Sequence, residues 1–77
     1  MWKVCGYIIY KGEYPISALY AIWDKANNEI NWTDDSNDAT IFSDPNYGIK
    51  IVTENSTATP DKCSVRSVIM TDETYNK

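Results

Sequence analysis

No histidine occurs among these 77 residues, and cysteine appears only twice, glycine and proline three times each. Without imidazole the chain lacks the usual general base near neutral pH, the commonest nitrogen ligand for a metal, and every triad built on histidine. Cys5 and Cys63 are too far apart in sequence for a C-x-x-C redox or zinc pair, and two thiols are too few for a structural zinc site. So few glycines leave no loop to cradle a phosphate. Apolar runs last only a few residues, which excludes a membrane-spanning helix. Basic residues are scarce as well. Seven stand against 11 acidic ones, a formal net charge of −4 that repels nucleic acid and anionic membranes. The expectation is a protein that is not an enzyme, with no catalytic residues, no cofactor, no metal, and neither nucleic acid nor membrane as a direct partner.

What the chain does have is aromatic side chains. Three Trp, six Tyr and one Phe supply the core that disordered chains lack. The length admits one small domain, expected over residues 1–70, with 71–77 as a flexible polar tail. The opening Met1-Trp2-Lys3-Val4-Cys5 has no basic region, long apolar run or small-residue cleavage site, so a cytoplasmic location is expected. In a reducing compartment Cys5 and Cys63 are expected to be small buried thiols rather than a bridge. The sequons at Asn31 and Asn55 then carry no weight.

Trp2–Tyr10 reads as a first strand, because Val4, Ile8, Ile9 and two tyrosines suit a pleated, half-buried surface. Lys11-Gly12-Glu13 is a turn. Tyr14 to Trp23 reads as a second strand, with Pro15 fitting an edge or bulge. Lys25-Ala26-Asn27-Asn28 turns the chain, since Asn tolerates the left-handed region, and Ile30–Thr33 is a short third strand. Asp34 to Asp38 forms a polar connection of residues that bond nearby backbone amides. Ala39-Thr40-Ile41-Phe42 then returns to the core.

Two readings compete beyond Phe42. Ser43 as a cap, with Asp44 and Pro45 after it, is a helix start signal. A helix over Asp44–Glu54 would turn Tyr47, Gly48, Ile51 and Val52 inward. Against it, Gly48-Ile49-Lys50-Ile51-Val52-Thr53 is rich in β-branched residues, and Tyr47, Ile49 and Ile51 alternate as in a strand. The helix is preferred. Asn55–Lys62 is a loop, and Cys63–Met70 a final strand.

Charge is unevenly spread. Residues 26–49 hold no basic side chain, while Glu29, Asp34, Asp35, Asp38 and Asp44 are acidic. One reading is a solvated stretch that keeps the protein soluble. The other is a contact surface for a basic site on a partner, and these five residues are its candidates. Asp34, Ser36 and Asp38 take the first, third and fifth positions of a calcium loop. Ala39 then stands where the turning Gly belongs and Pro45 where the bidentate Glu belongs, so the loop is rejected. Asp34 and Asp35, adjacent in a polar loop, offer neither the apolar setting nor the separation of a glycosidase pair. Most of the aromatic rings are expected in the core and in cross-strand pairs. Rings left exposed beside the acids suit protein recognition.

The run Asn31-Trp32-Thr33-Asp34-Asp35-Ser36-Asn37-Asp38-Ala39-Thr40-Ile41-Phe42 resembles a W-T-D-D-x-x-x-A-x-x-F pattern found in small proteins and domains of bacteriophages and prophages. The resemblance spans roughly residues 7–70. It implies an opening strand at Tyr7-Ile8-Ile9-Tyr10, a hairpin before the Trp, a short helix after the Phe, and a closing strand at Cys63–Val68. In such a pattern Trp32, Ala39 and Phe42 would anchor the connection and the Asp residues would cap it. Some small phage proteins of this build, certain anti-CRISPR proteins among them, occupy a surface of a host defence complex.

The expected fold is therefore α+β, an antiparallel sheet of three or four strands with one short helix packed on one face. The expected function is non-catalytic inhibition or modulation of a host protein or protein–nucleic-acid complex in the bacterial cytoplasm. The rival expectation is a small phage accessory or oligomerisation module with no inhibitory role, whose acidic segment merely solvates it. A homodimer is among the expected partners, and the sequence does not say whether an edge strand pairs two copies.

Overall fold

The computed structural model describes the chain over residues 2–71 and its side chains over residues 4–68. Four strands form one antiparallel sheet: β1 (Trp2–Lys11), β2 (Leu19–Asp24), β3 (Glu29–Thr33) and β4 (Ser64–Thr71), in the order β3-β2-β1-β4. One helix, α1 (Pro45–Glu54), packs on one face of this sheet, which makes the fold α+β. β4 runs along the full length of β1, from Trp2 opposite Thr71 to Tyr10 opposite Ser64. β2 and β3 form a hairpin closed by Asn28 at φ 52°. The tail expected at 71–77 lies, from residue 72 on, outside the described residues.

Because neighbouring strand residues face opposite ways, Ile8 and Ile9 enter two different clusters. On the helix face Ile9, Ala21, Phe42 and Val52 are buried, with Trp23, Ile30, Trp32, Ile49 and Ile51 against them. On the second face Ile8, Ala18 and Tyr20 are buried, with Tyr10, Ala39 and Val68 around them.

β1 and β2 pair only at Tyr10–Tyr20 and Lys11–Leu19. Beyond that point they diverge, and Thr40–Phe42 fills the gap. Tyr7 and Phe42 exchange main-chain bonds of 2.8 and 2.7 Å. On the other side the Thr40 N–H donates to the Ala21 carbonyl at 3.0 Å, and Thr40 Oγ1 accepts the Trp23 N–H at 2.7 Å. The connection from β3 therefore passes through the sheet, with Ala39 left on the second face and Phe42 on the helix face. Close passage at β1 requires Gly6. It sits at φ +156°, where a Cβ would strike the Ile41 side chain and stand 2.8 Å from the Phe42 carbonyl oxygen.

Several boundaries differ from those expected. The second strand starts at Leu19 instead of Tyr14, because residues 12–17 are held in a loop: the Ser17 N–H donates to the Glu13 carbonyl at 2.8 Å. The last strand starts at Ser64, since the Cys63 N–H turns back to the Pro60 carbonyl at 3.3 Å. The helix reading holds over residues 47–53, but the cap is Asp44, not Ser43, and Pro45 is its first residue. Gly48 and Val52 are buried as expected, whereas Tyr47 is 53% exposed. At 3.6 residues per turn Tyr47 lies about 140° around the helix from Val52, while Ile49 is only about 60° away and takes the inward place.

Candidate partner-binding surface

Three of the five candidate acids stand together on the connection that leaves β3. Asp35 closes its turn: its Oδ1 accepts the Asn37 N–H at 2.9 Å, and its own N–H donates to Thr33 Oγ1 at 3.1 Å. The residues after it, Ser36–Asp38, form a single 3₁₀ turn. Asp34, Asp35 and Asp38 are all exposed. The other two candidates lie elsewhere. Glu29 opens β3 while Asp34 follows its end, a span of about 13 Å or more at 3.3 Å per residue. Asp44 caps α1, its Oδ1 accepting the Asn46 N–H at 2.9 Å. Its carboxylate sits at the positive end of the helix dipole, where a negative charge is stabilising. Among the described residues no three acidic or thiol groups stand close enough to share a metal ion.

The connection borders the second face of the sheet, where Ser36 and Asn37 share a cleft with Ile8 and Arg66, and that face carries a cluster of tyrosines. The Tyr10 ring lies 5.9 Å from Tyr14 and 5.8 Å from Tyr20, both tilted. The Arg66 guanidinium rests on the Tyr14 ring, 4.6 Å from its centroid. Tyr14 is 46% exposed and Arg66 is exposed too. Between β4 and the 3₁₀ turn is an open cleft of about 210 Å³ lined by Ile8, Ser36, Asn37, Arg66, Ser67 and Val68. Its surface combines apolar side chains with hydroxyl, amide and guanidinium groups.

Sequence reasoning singled out the acids and missed Arg66, Tyr14 and the cleft. The register of β1 on β4 sets Ile8 opposite Arg66, which brings Arg66 to the face of Ile8 and Tyr10. Alternation alone would have given that face once the pairing of first and last strands was known.

The cysteines belong to the opposite ends of the β1–β4 pair. Cys5 sits in the bulge between Val4 and Gly6, and Cys63 just beyond the Tyr10–Ser64 pair. Six residue steps separate them along the ladder, roughly 20 Å, so the two free, half-buried thiols cannot bridge within one chain. Burial pushes the Cys63 thiol above its ordinary value, against the pull of the Lys11 ammonium. A raised value makes a poor nucleophile at neutral pH. Lys11 itself rests on the Trp32 ring, 4.1 Å from the centroid.

The chain matches no protein-family model, no curated protein and no solved structure. Among the described residues no helix is long and apolar enough to cross a membrane.

Proposed function

We propose that this chain is a non-catalytic, phage-type binding protein that inhibits or modulates a host protein in the bacterial cytoplasm. A defence complex or nucleic-acid-handling complex, anti-CRISPR fashion, is the class of target it suits. The observation that carries this reading is the exposed acidic turn of Asp34, Asp35 and Asp38 set against a tyrosine-bearing sheet face. Carboxylates on such a rim steer a basic partner site into place and select against acidic ones. Tyr14 and Arg66 are the residue types that anchor interfaces once water is excluded. A standard contact takes about 800 Å² from each partner, a modest share of the 5361 Å² this molecule exposes. Glu29 and Asp44 extend the negative field around it, Asp44 while also capping α1.

The test separates contact from fold. Asp35 ties its own turn together, so the informative double variant is Asp34→Lys with Asp38→Lys, whose side chains hold no such bond. Affinity capture from infected bacteria should recover one dominant host complex with the parent protein and lose it with the variant. The melting temperature should stay within a few degrees. Equal capture by both proteins would remove the electrostatic contact from consideration.

A second reading, an accessory or oligomerisation module, is favoured by a different feature. Among the described residues β4, eight residues long, bonds to β1 alone and stands at the edge of the sheet.

A further inference from the structure

We propose that the loop between β1 and β2 anchors the host contact, with Ile16 entering an apolar pocket, rimmed by a basic group, on the host protein. This rests on the reading above and names the chemistry its partner must offer. Ile16 is 91% exposed, more than any other large apolar side chain among the described residues. The fold draws nothing from it, since the neighbouring cluster closes on Ala18 and Tyr20.

The loop is closed on itself. The Ser17 N–H donates to the Glu13 carbonyl at 2.8 Å, and the Glu13 N–H donates to Ser17 Oγ at 3.3 Å. At its base Gly12 takes φ +88°, where a Cβ would stand 2.5 Å from the Ser17 carbonyl oxygen. Tyr14 fixes its flank against Tyr10 and Arg66. An anchor ordered before contact loses little freedom on binding. Arg66 also lines the cleft with Ser36 and Asn37, so loop, cleft and acidic turn form one continuous border. The loop follows the Tyr10–Ser64 end of the sheet, whereas residues 1 and 72–77 adjoin the Trp2–Thr71 end. Seven steps of β4, about 23 Å, separate the two ends.

A convex tip with one aliphatic side chain gains in proportion to the area taken from water, and a concave partner takes the most. Glu13, exposed in the same loop, suits a basic group at the rim of that pocket. Lipid is the poorer occupant: residues 12–24 hold no basic side chain, and insertion at a membrane surface leans on Lys and Arg. A second copy brings the same net charge of −4 and the same acidic turn to the border, a like-charge approach.

Release kinetics of the host complex captured by the parent protein test this. Ile16→Ser should speed release about ten- to a hundredfold with an unchanged melting temperature, while Ile16→Leu should stay close to the parent. Ile16→Trp should also release faster, because a pocket shaped for an aliphatic side chain excludes an indole. Unchanged release by Ile16→Ser, or slower release by Ile16→Trp, would overturn the pocket. So would binding of the parent to vesicles of phosphatidylcholine and phosphatidylglycerol that Ile16→Ser abolishes. A rise in mass from 8.8 kDa toward twice that value, abolished by the same substitution, would assign the loop to a second copy and overturn the proposal. A parent that captures no host complex defeats the host-contact reading and this inference with it. Capture that depends on Asp34 and Asp38 but not on Ile16 defeats the anchor alone.

Discussion

Gly48 is the residue at which helix propensity and packing pull in opposite directions. A Cβ there would stand 3.0 Å from the Phe42 ring and 3.1 Å from Ile9 Cδ1. Alanine gains about 1 kcal/mol of helix propensity over glycine, yet here it presses on a ring that is 5% exposed, with the wedge behind it. Gly48→Ala is expected to lower the melting temperature by a few degrees despite that gain. Gly48→Val should lower it considerably further, with both read by thermal denaturation. Taken by itself, a glycine at this position disfavours a helix. Propensity is a property of one residue, whereas the close approach of α1 to Phe42 depends on what faces it from another segment. Tyr47 was misjudged for a similar reason: its side chain suits a core, but the sheet meets the helix along Gly48 and Val52.

At the scale of elements, the signals that proved legible were local ones. Alternation in Trp2–Tyr10, asparagines in the turn at 25–28, and Asp and Pro before α1 each act within a few residues of where they stand. The resemblance to the W-T-D-D pattern implied anchors at Trp32, Ala39 and Phe42, and all three do pack against a cluster. Nothing in the pattern said that Thr40–Phe42 would wedge between β1 and β2. Alternation reports which face a side chain takes, not which backbone lies beside it, and three residues are too few to read as a strand. Nor did Tyr14 and Ile16 betray a loop, because the bonds between Glu13 and Ser17 outweigh their β propensity. The wedge makes a sharp prediction. Thr40→Val keeps the shape of the side chain but leaves the part-buried Trp23 N–H without its acceptor. A loss of about 1–3 kcal/mol is expected in denaturant unfolding.

For the whole molecule, the order of charges along the chain overstated how far they gather. Five acids in one stretch become a group of three, a helix cap, and one residue at the far end of a strand. A proposed contact surface is correspondingly narrower than residues 26–49 and gains Tyr14 and Arg66, which lie outside that stretch. The passage of the chain through the sheet has a thermodynamic consequence. Trp23 and Trp32 report on one cluster and Tyr10 and Tyr20 on the other, and neither layer can loosen without withdrawing the segment that plugs them both. Unfolding should accordingly be all-or-none. In a Trp2→Phe background, indole fluorescence and the ring-proton signals of Tyr10 and Tyr20 should trace a single superimposable curve. Two separated midpoints would mean that the threaded segment does not lock the two layers into one cooperative unit.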